Sequence, residues 1–469
     1  MNSIQLCGAA GVLLLIFVIG IASGRRVKSN HDFESGGGRA GYGTVSGMIL
    51  GTAVGGSCTI GTAQLAFHYG LSAWWYTLGC GLACLAMGVL YVKPFRRTEA
   101  TTLLGIIRRE YGKQVAVTTS LLASFAALIG LVAQVISASA VVPFIIPGLS
   151  VTGSVAVSVI LMLVYVVFGG ALGAGEVGRV KTVLLYAAVL AGVLVVLRSS
   201  GLRVLWEELD HQVYFDLFAR GVGEEGGKAL SVMLGIAAGP TYIHAIQMAR
   251  SDGVARRSEF VSALLIPPIG LGSALIGMFM RVYHPMLENP KNAFPEFVLM
   301  YTPDLVSGII MGTLLLGIIG SGAGIAMAAG ISINRDILQP LLRVPQDSGA
   351  SLRVSRLCIA ALLAAAGCLS AGILGDMIQV FSILAAGFRA AVMFVPLTCA
   401  CLLPGRVPKE WMLAAVLAGP LASVLFSLWP VLPVDGMAIG VAVGVVCCGA
   451  GLLLRNREQY GTREKTADK

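Results

Sequence analysis

Apolar stretches of roughly 20 residues recur from one end of this 469-residue chain to the other, and that recurrence leaves few folds open. A helix rising 1.5 Å per residue crosses ~30 Å of hydrocarbon in about 20 residues. Inside lipid the backbone must satisfy its own hydrogen bonds, which favours helices. Thirteen such stretches can be drawn, at about 4–23, 43–66, 72–92, 116–146, 150–170, 178–199, 228–250, 257–284, 305–333, 354–375, 376–402, 410–429 and 434–455. The two at 116–146 and 305–333 are long enough to imply tilt or extension beyond the bilayer. Hydrophobic residues make up 56% of the chain, charged residues 12%, and mean hydropathy is +0.84, as expected when lipid is the solvent. The chain is predicted to be an all-α polytopic membrane protein with about 13 transmembrane helices.

Orientation follows from the basic residues. With the N-terminus outside, 26 of the 33 Lys and Arg fall in inner loops and the tail, and six fall outside. The positive-inside rule therefore predicts N-out, C-in. The first stretch lacks a basic n-region and is followed at once by GRRVK, so it is expected to be a retained helix. The net charge of +9 reflects this lining and gives no reason to expect nucleic acid. The ten cysteines all lie within spans without ligand spacing, so no metal or disulfide role is expected. The expected location is the cell membrane, inner or plasma.

The second span carries glycines at 43, 47, 51, 55, 56 and 61. Glycine costs about 1 kcal/mol in a helix interior relative to Ala. Two readings stay open, and both can hold. One is close helix packing through Gly43, Gly47, Gly51 and Gly55. The other is a helix that unwinds at mid-depth and frees carbonyls for a cation. The seventh span carries Gly235-Ile-Ala-Ala-Gly239-Pro240, where Pro240 predicts a break. Interrupted spans at corresponding places in two halves point to an inverted-repeat transporter. The halves are 43–199 and 228–402, joined by an external loop at 200–227. Residues 1–42 and 403–469 add an N-terminal helix and two C-terminal helices with a tail.

The runs SGMILGTAVGGSCTIGTAQLAFHYGLSAWWYTLG, FGG at 168–170, GP at 239–240 and ISINRDIL at 331–338 resemble the sodium:solute symporter family, as does RRTEATTLLGIIRREYG. The resemblance covers most of the chain and is strongest over 40–115. It implies a leucine-transporter-like fold of two inverted five-helix repeats with alternating access around a midplane site. It also implies a sodium ion held by the carbonyls of Gly51 and Val54, the carbonyl of Gly317 and hydroxyls at positions 320 and 321. This chain has Ser321 but Gly320, so one hydroxyl is missing. The Asp common near the start of the fifth repeat helix is Gly178 here, flanked by Arg179 and Lys181. Either sodium binds with a substitute ligand, or Lys181 or Arg179 reaches the vacant place and coupling is to protons or absent.

Substrate-proximal candidates at membrane depth are Ser57, Cys58, Thr59, Thr62, Gln134, Thr241, Tyr242 and Arg389. For each polar residue, interhelical hydrogen bonding competes with substrate contact. Arg389 alone among the cations falls deep in a span, and none of the 24 Asp and Glu does. His68 and His244 are the only histidines near spans, so protonation chemistry is disfavoured and weight returns to sodium. Arg389 would either hydrogen-bond carbonyls of a broken helix or meet an anion through its forked donors. The expected function is sodium-coupled symport of a small organic solute, with a carboxylate preferred. No enzyme activity, cofactor beyond the coupling Na+, or obligate protein partner is expected. A transporter-like membrane sensor is the alternative from another class.

Overall fold

The computed structural model describes residues 1–24, 38–98, 103–199, 201–342, 349–372, 377–429 and 434–467. The basic segment 25–37 and Asp376, the first residue of the apolar stretch that carries Arg389, lie outside them. The side chains of 168–170 do as well.

Among the described residues the chain is almost wholly helical, with one isolated parallel bridge between Ala40 and Ala249. An apolar helix α1 (Ser3–Gly24) precedes α2 (Tyr42–Ala53), which continues through a wide turn at Ser57–Gly61 into α3 (Thr62–Tyr69). Next come α4 (Trp75–Ala86), α5 (Leu103–Ile145) and α6 (Val151–Ser199). The second half runs α7 (Val222–Ala237), α8 (Pro240–Met248), α9 (Asp252–Tyr283), α10 (Asp304–Ser332), α11 (Gly349–Gly372) and α12 (Ile378–Arg389). It ends with α13 (Val395–Leu402), α14 (Lys409–Leu428) and α15 (Gly436–Ala467).

Nine described helices are long and apolar enough to cross a membrane, and a tenth is counted if α7 and α8 form one span bent by 44°. Within the residues whose side chains are described, Ser3–Leu15 and Val151–Val166 are shorter apolar helices, and the second stretch is interrupted after Ala53.

Both expected breaks are present. α2 stops at Ala53, where Val54 turns extended at φ −88° and ψ 91°. α7 stops at Ala237, and Gly239 is extended at ψ 124° before Pro240 opens α8. Proline fits there because its missing N–H belongs to the first helical turn.

Close packing explains the other glycines of α2. A Cβ at Gly47 would lie 2.3 Å from the carbonyl oxygen of Gly175, and one at Gly51 would lie 2.7 Å from the Cα of Gly178. The helices α2 and α6 therefore cross backbone to backbone. The two readings of the glycine run both hold. At the end carrying the basic connections, Arg96 donates to Asp252 and to the carbonyls of Ile246 and Ala249, tying the end of α8 to the start of α9.

Candidate functional site

The break after α2 is held open from outside. The amide of Gly56 donates to Gln134 Oε1 at 3.3 Å, and Gln134 Nε2 donates to Ser57 Oγ at 3.3 Å. A buried amide freed from a helix needs such a partner. Only glycine fits at this crossing. A Cβ on Gly55 would stand 2.4 Å from Ser321 Oγ, and one on Gly56 would stand 2.3 Å from Ser137 Cβ.

The other candidates on this segment turn inward. Cys58 Sγ donates to the carbonyl of Ala53, Thr59 Oγ1 to that of Gly55 and Thr62 Oγ1 to that of Ser57. Ser57 Oγ shares a short hydrogen bond with Ser382 Oγ of α12. In this conformation Ser57, Cys58, Thr59, Thr62 and Gln134 are engaged in holding the break.

Beside the break lies Lys181, fully buried on α6. Its ammonium donates to the carbonyl of Gly51, to the carbonyl of Gly317 at 2.7 Å and to Ser321 Oγ at 3.1 Å. Ser321 in turn donates to Gly51 at 3.2 Å. The Gly51, Gly317 and Ser321 oxygens that the resemblance assigned to sodium thus converge on a cation supplied by the chain. Three acceptors match the three donors of an ammonium.

Of the two departures from the family pattern, one acquires a reason here. A Cβ at Gly320 would sit 3.4 Å from both Lys181 Nζ and Tyr165 Oη, in ordinary contact, so position 320 lies beside the ammonium. A Cβ at Gly178 would fall 2.1 Å from the carbonyl oxygen of Gly47, so no carboxylate could be carried there. Arg179 does not reach the site; it is exposed and lies beside Gly43. Val54 N–H donates back to Leu50, and no contact joins the Val54 carbonyl to Lys181 among the described residues.

Between α5, α8, α10 and α12, in the half of the molecule nearer the basic connections, lies a small, partly open cavity of about 30 Å³. Thr241 and Arg389 line it together with Ser120, Ser124 and Ser332. Tyr242, Tyr76 and Cys80 lie within electrostatic reach of the Arg389 guanidinium. The opposite half is sealed. Gln64 Oε1 accepts from the amide of Ile378, while Gln379 Nε2 donates to Thr62 Oγ1 and to the carbonyl of Ala73.

Two sequence inferences need correction. Arg389 is not alone among the cations in the buried interior, because Lys181, three residues inside its apolar stretch, is fully buried too. Carboxylates are not absent from the buried interior: Glu259 on α9 is fully buried, with the Cys84 thiol as its hydrogen-bonding neighbour. Its position two residues inside the edge of the apolar stretch disguised it as a loop residue. The start of α2 and the turn at Gly88 cover it, as Ser258 donating to the carbonyl of Tyr42 and Gly88 lying against Glu259 indicate.

Two discontinuous helices around a buried cation position, in an all-helical bundle with membrane-length apolar spans, define the class: a polytopic membrane carrier of the leucine-transporter-like fold. The family model described as the sodium:solute symporter family matches residues 35–399, and the chain belongs to that family of secondary transporters. That family is one of transporters, not of enzymes.

The chain is 26% identical over 211 residues to the uncharacterized symporter YwcA of Bacillus subtilis (strain 168), covering 42% of this chain and 40% of that one. It is 29% identical over 171 residues to high-affinity choline transporter 1 of Caenorhabditis elegans, covering 34% and 29%. The matched parts thus span less than half of either relative. Among solved structures, a substrate-bound outward-open Na+-coupled sialic acid symporter is similar at TM-score 0.81 and 14% identity, over 97% of this chain and 98% of that one. Mhp1, a nucleobase-cation-symport-1 family transporter in a closed conformation with bromovinylhydantoin bound, is similar at TM-score 0.59 and 12% identity, over 91% and 94%. At these identities the structures establish the fold.

Proposed function

We propose that this chain moves a small organic solute across the cell membrane by alternating access, and that its Lys181 ammonium stands permanently where relatives bind a sodium ion. The repeats are 43–199 and 228–402, set among thirteen spans with the N-terminus outside. What carries the reading is the bonding of Lys181 to Gly51, Gly317 and Ser321. These groups lie on α2 and α10, the helices that a bound sodium would bridge, so the tethered charge does the bridging without an ion from solution. The seal through Gln64 and Gln379 and the cavity in the basic half correspond to an inward-facing form. In this reading solute movement does not require sodium.

Family membership favours a second reading, in which Lys181 swings aside and sodium binds during part of the cycle. Depletion of a metabolite mixture by cells expressing the chain, in sodium and in choline medium, separates the two. The tethered-cation reading expects at least one solute to be taken up at equal rates in both media. Uptake that needs sodium overturns it, and no uptake of any solute in either medium overturns transport itself.

A further inference from the structure

Arg389 spends only one of its nitrogens on the protein. Its Nε donates at 2.7 Å to the carbonyl of Gly235, near the end of α7, which secures the broken helix. Its two terminal nitrogens have no hydrogen-bond or ion-pair partner among the described residues, and the side chain lines the cavity. Arg389 is the one charged side chain among the lining residues. A guanidinium held by one edge presents its other donors in a fixed plane, a geometry suited to a carboxylate.

Two further groups face the same space. Pro240 and Thr241, the first residues of α8, line the cavity, so the positive end of that helix points into it. Ser120, also lining it, is buried, and its hydroxyl has no hydrogen-bond partner. Unpartnered buried hydroxyls are uncommon and imply a partner that arrives from elsewhere. The remaining wall is largely apolar, with Leu104, Ala127, Ile325, Ala328 and Met393. At the sealed end, Arg281 stands over the ring of Phe67 at 5.4 Å without an ion-pair partner among the described residues, a favourable first contact for an anion.

We infer that the cavity is a subsite for a small monocarboxylate. The carboxylate meets the terminal nitrogens of Arg389, the start of α8 and Ser120, and a short apolar body rests against the aliphatic wall. One fixed cation balances one negative charge, so a dianion is left partly unpaired. This names the solute class of the proposed transporter and rests on that reading. Equilibrium binding, however, does not depend on which ion is coupled.

The test is thermal unfolding of the purified full chain in sodium-free buffer with choline salts of propionate, butyrate, pyruvate and lactate. Propionamide and butyramide serve as neutral controls, and succinate as the dianion. At least one monocarboxylate is expected to raise the Tm saturably, while the amides and succinate do not. Arg389→Gln is expected to abolish the shift. Ser120→Ala, which leaves the α7 break untouched, is expected to weaken the same salt by roughly three- to tenfold, the size of one hydrogen bond, and keeps the proposal testable should Arg389→Gln misfold. The inference is overturned if no monocarboxylate stabilises the protein, if the amides do so equally, or if the shift is unchanged in the folded Arg389→Gln or Ser120→Ala protein. None of these results bears on sodium dependence, so a failure here leaves the cation reading standing.

Discussion

Replacing Lys181 by Ala should turn a protein indifferent to sodium into one that binds it. The ammonium is bonded to Gly51 O, Gly317 O and Ser321 Oγ, the latter two at 2.7 and 3.1 Å, and a sodium ion using the same oxygens would lie within about 3 Å of Nζ. Two unit charges 3 Å apart repel by about 5.5 kcal/mol at an effective dielectric constant of ~20. That lowers sodium affinity on the order of ten-thousand-fold, so a site that would bind at millimolar concentration becomes unobservable. Lys181→Ala removes the charge and leaves oxygens without a donor, in a space the size of a lysine stem. Sodium at one hundred times its Kd would then stabilise the variant by about 2.7 kcal/mol, a rise of a few degrees in Tm. The assay compares NaCl with choline chloride at constant ionic strength, so screening cancels. Lys181→Met is the control, since its stem fills the space without a charge and should stay blind to sodium. Sodium-specific, saturable stabilisation of the unaltered protein would refute the reasoning, as would a Lys181→Ala variant that ignores sodium.

Two other substitutions probe the surroundings. Gly178→Ala drives a methyl to 2.1 Å from the carbonyl oxygen of Gly47, backbone that cannot step aside, so a destabilisation of about 1–3 kcal/mol or more is expected as lower Tm and yield, and an unchanged Tm would contradict the close crossing of α2 and α6. Glu259→Gln should leave the Tm unchanged or raised, because a neutral amide costs less to bury than a carboxylate and its oxygen can still accept from the Cys84 thiol; a clear fall would mean that a stronger donor binds the carboxylate.

The sequence made the breaks legible because their chemistry is local. A proline after glycine, and glycines packed at intervals of four, act on the backbone wherever the chain goes. Partner identity is not local, and there the reading stayed open. Gln134 read equally well as a substrate contact or an interhelical bond, and only its two bonds to Gly56 and Ser57 decide what it does in this conformation. Arg179 and Lys181 stood side by side as candidates, yet their places on α6 separate them: Arg179 packs against Gly43 and Gly47 near the start of α2, while Lys181, three residues beyond Gly178, reaches Gly51 further along. Glu259 escaped because the edge of an apolar run was taken for the edge of the membrane, although a neighbouring helix start can bury such an edge.

The same placement on α6 joins the departures at the cation site into one arrangement. Gly178 stands where the family resemblance implies an Asp, and its bareness lets α6 press backbone to backbone on α2. That contact brings the next turn of α6, with Lys181, up to the carbonyl of Gly51. Gly320, where the resemblance implies a hydroxyl ligand, lies beside the ammonium. A sodium site that had merely lost two ligands would be left with carbonyls facing a poor partner, which is costly in a buried setting. In the proposed tethered-cation reading, Lys181 takes up the oxygens that sodium would hold, and positions 178, 181 and 320 act as a single substitution of a tethered charge for a bound one.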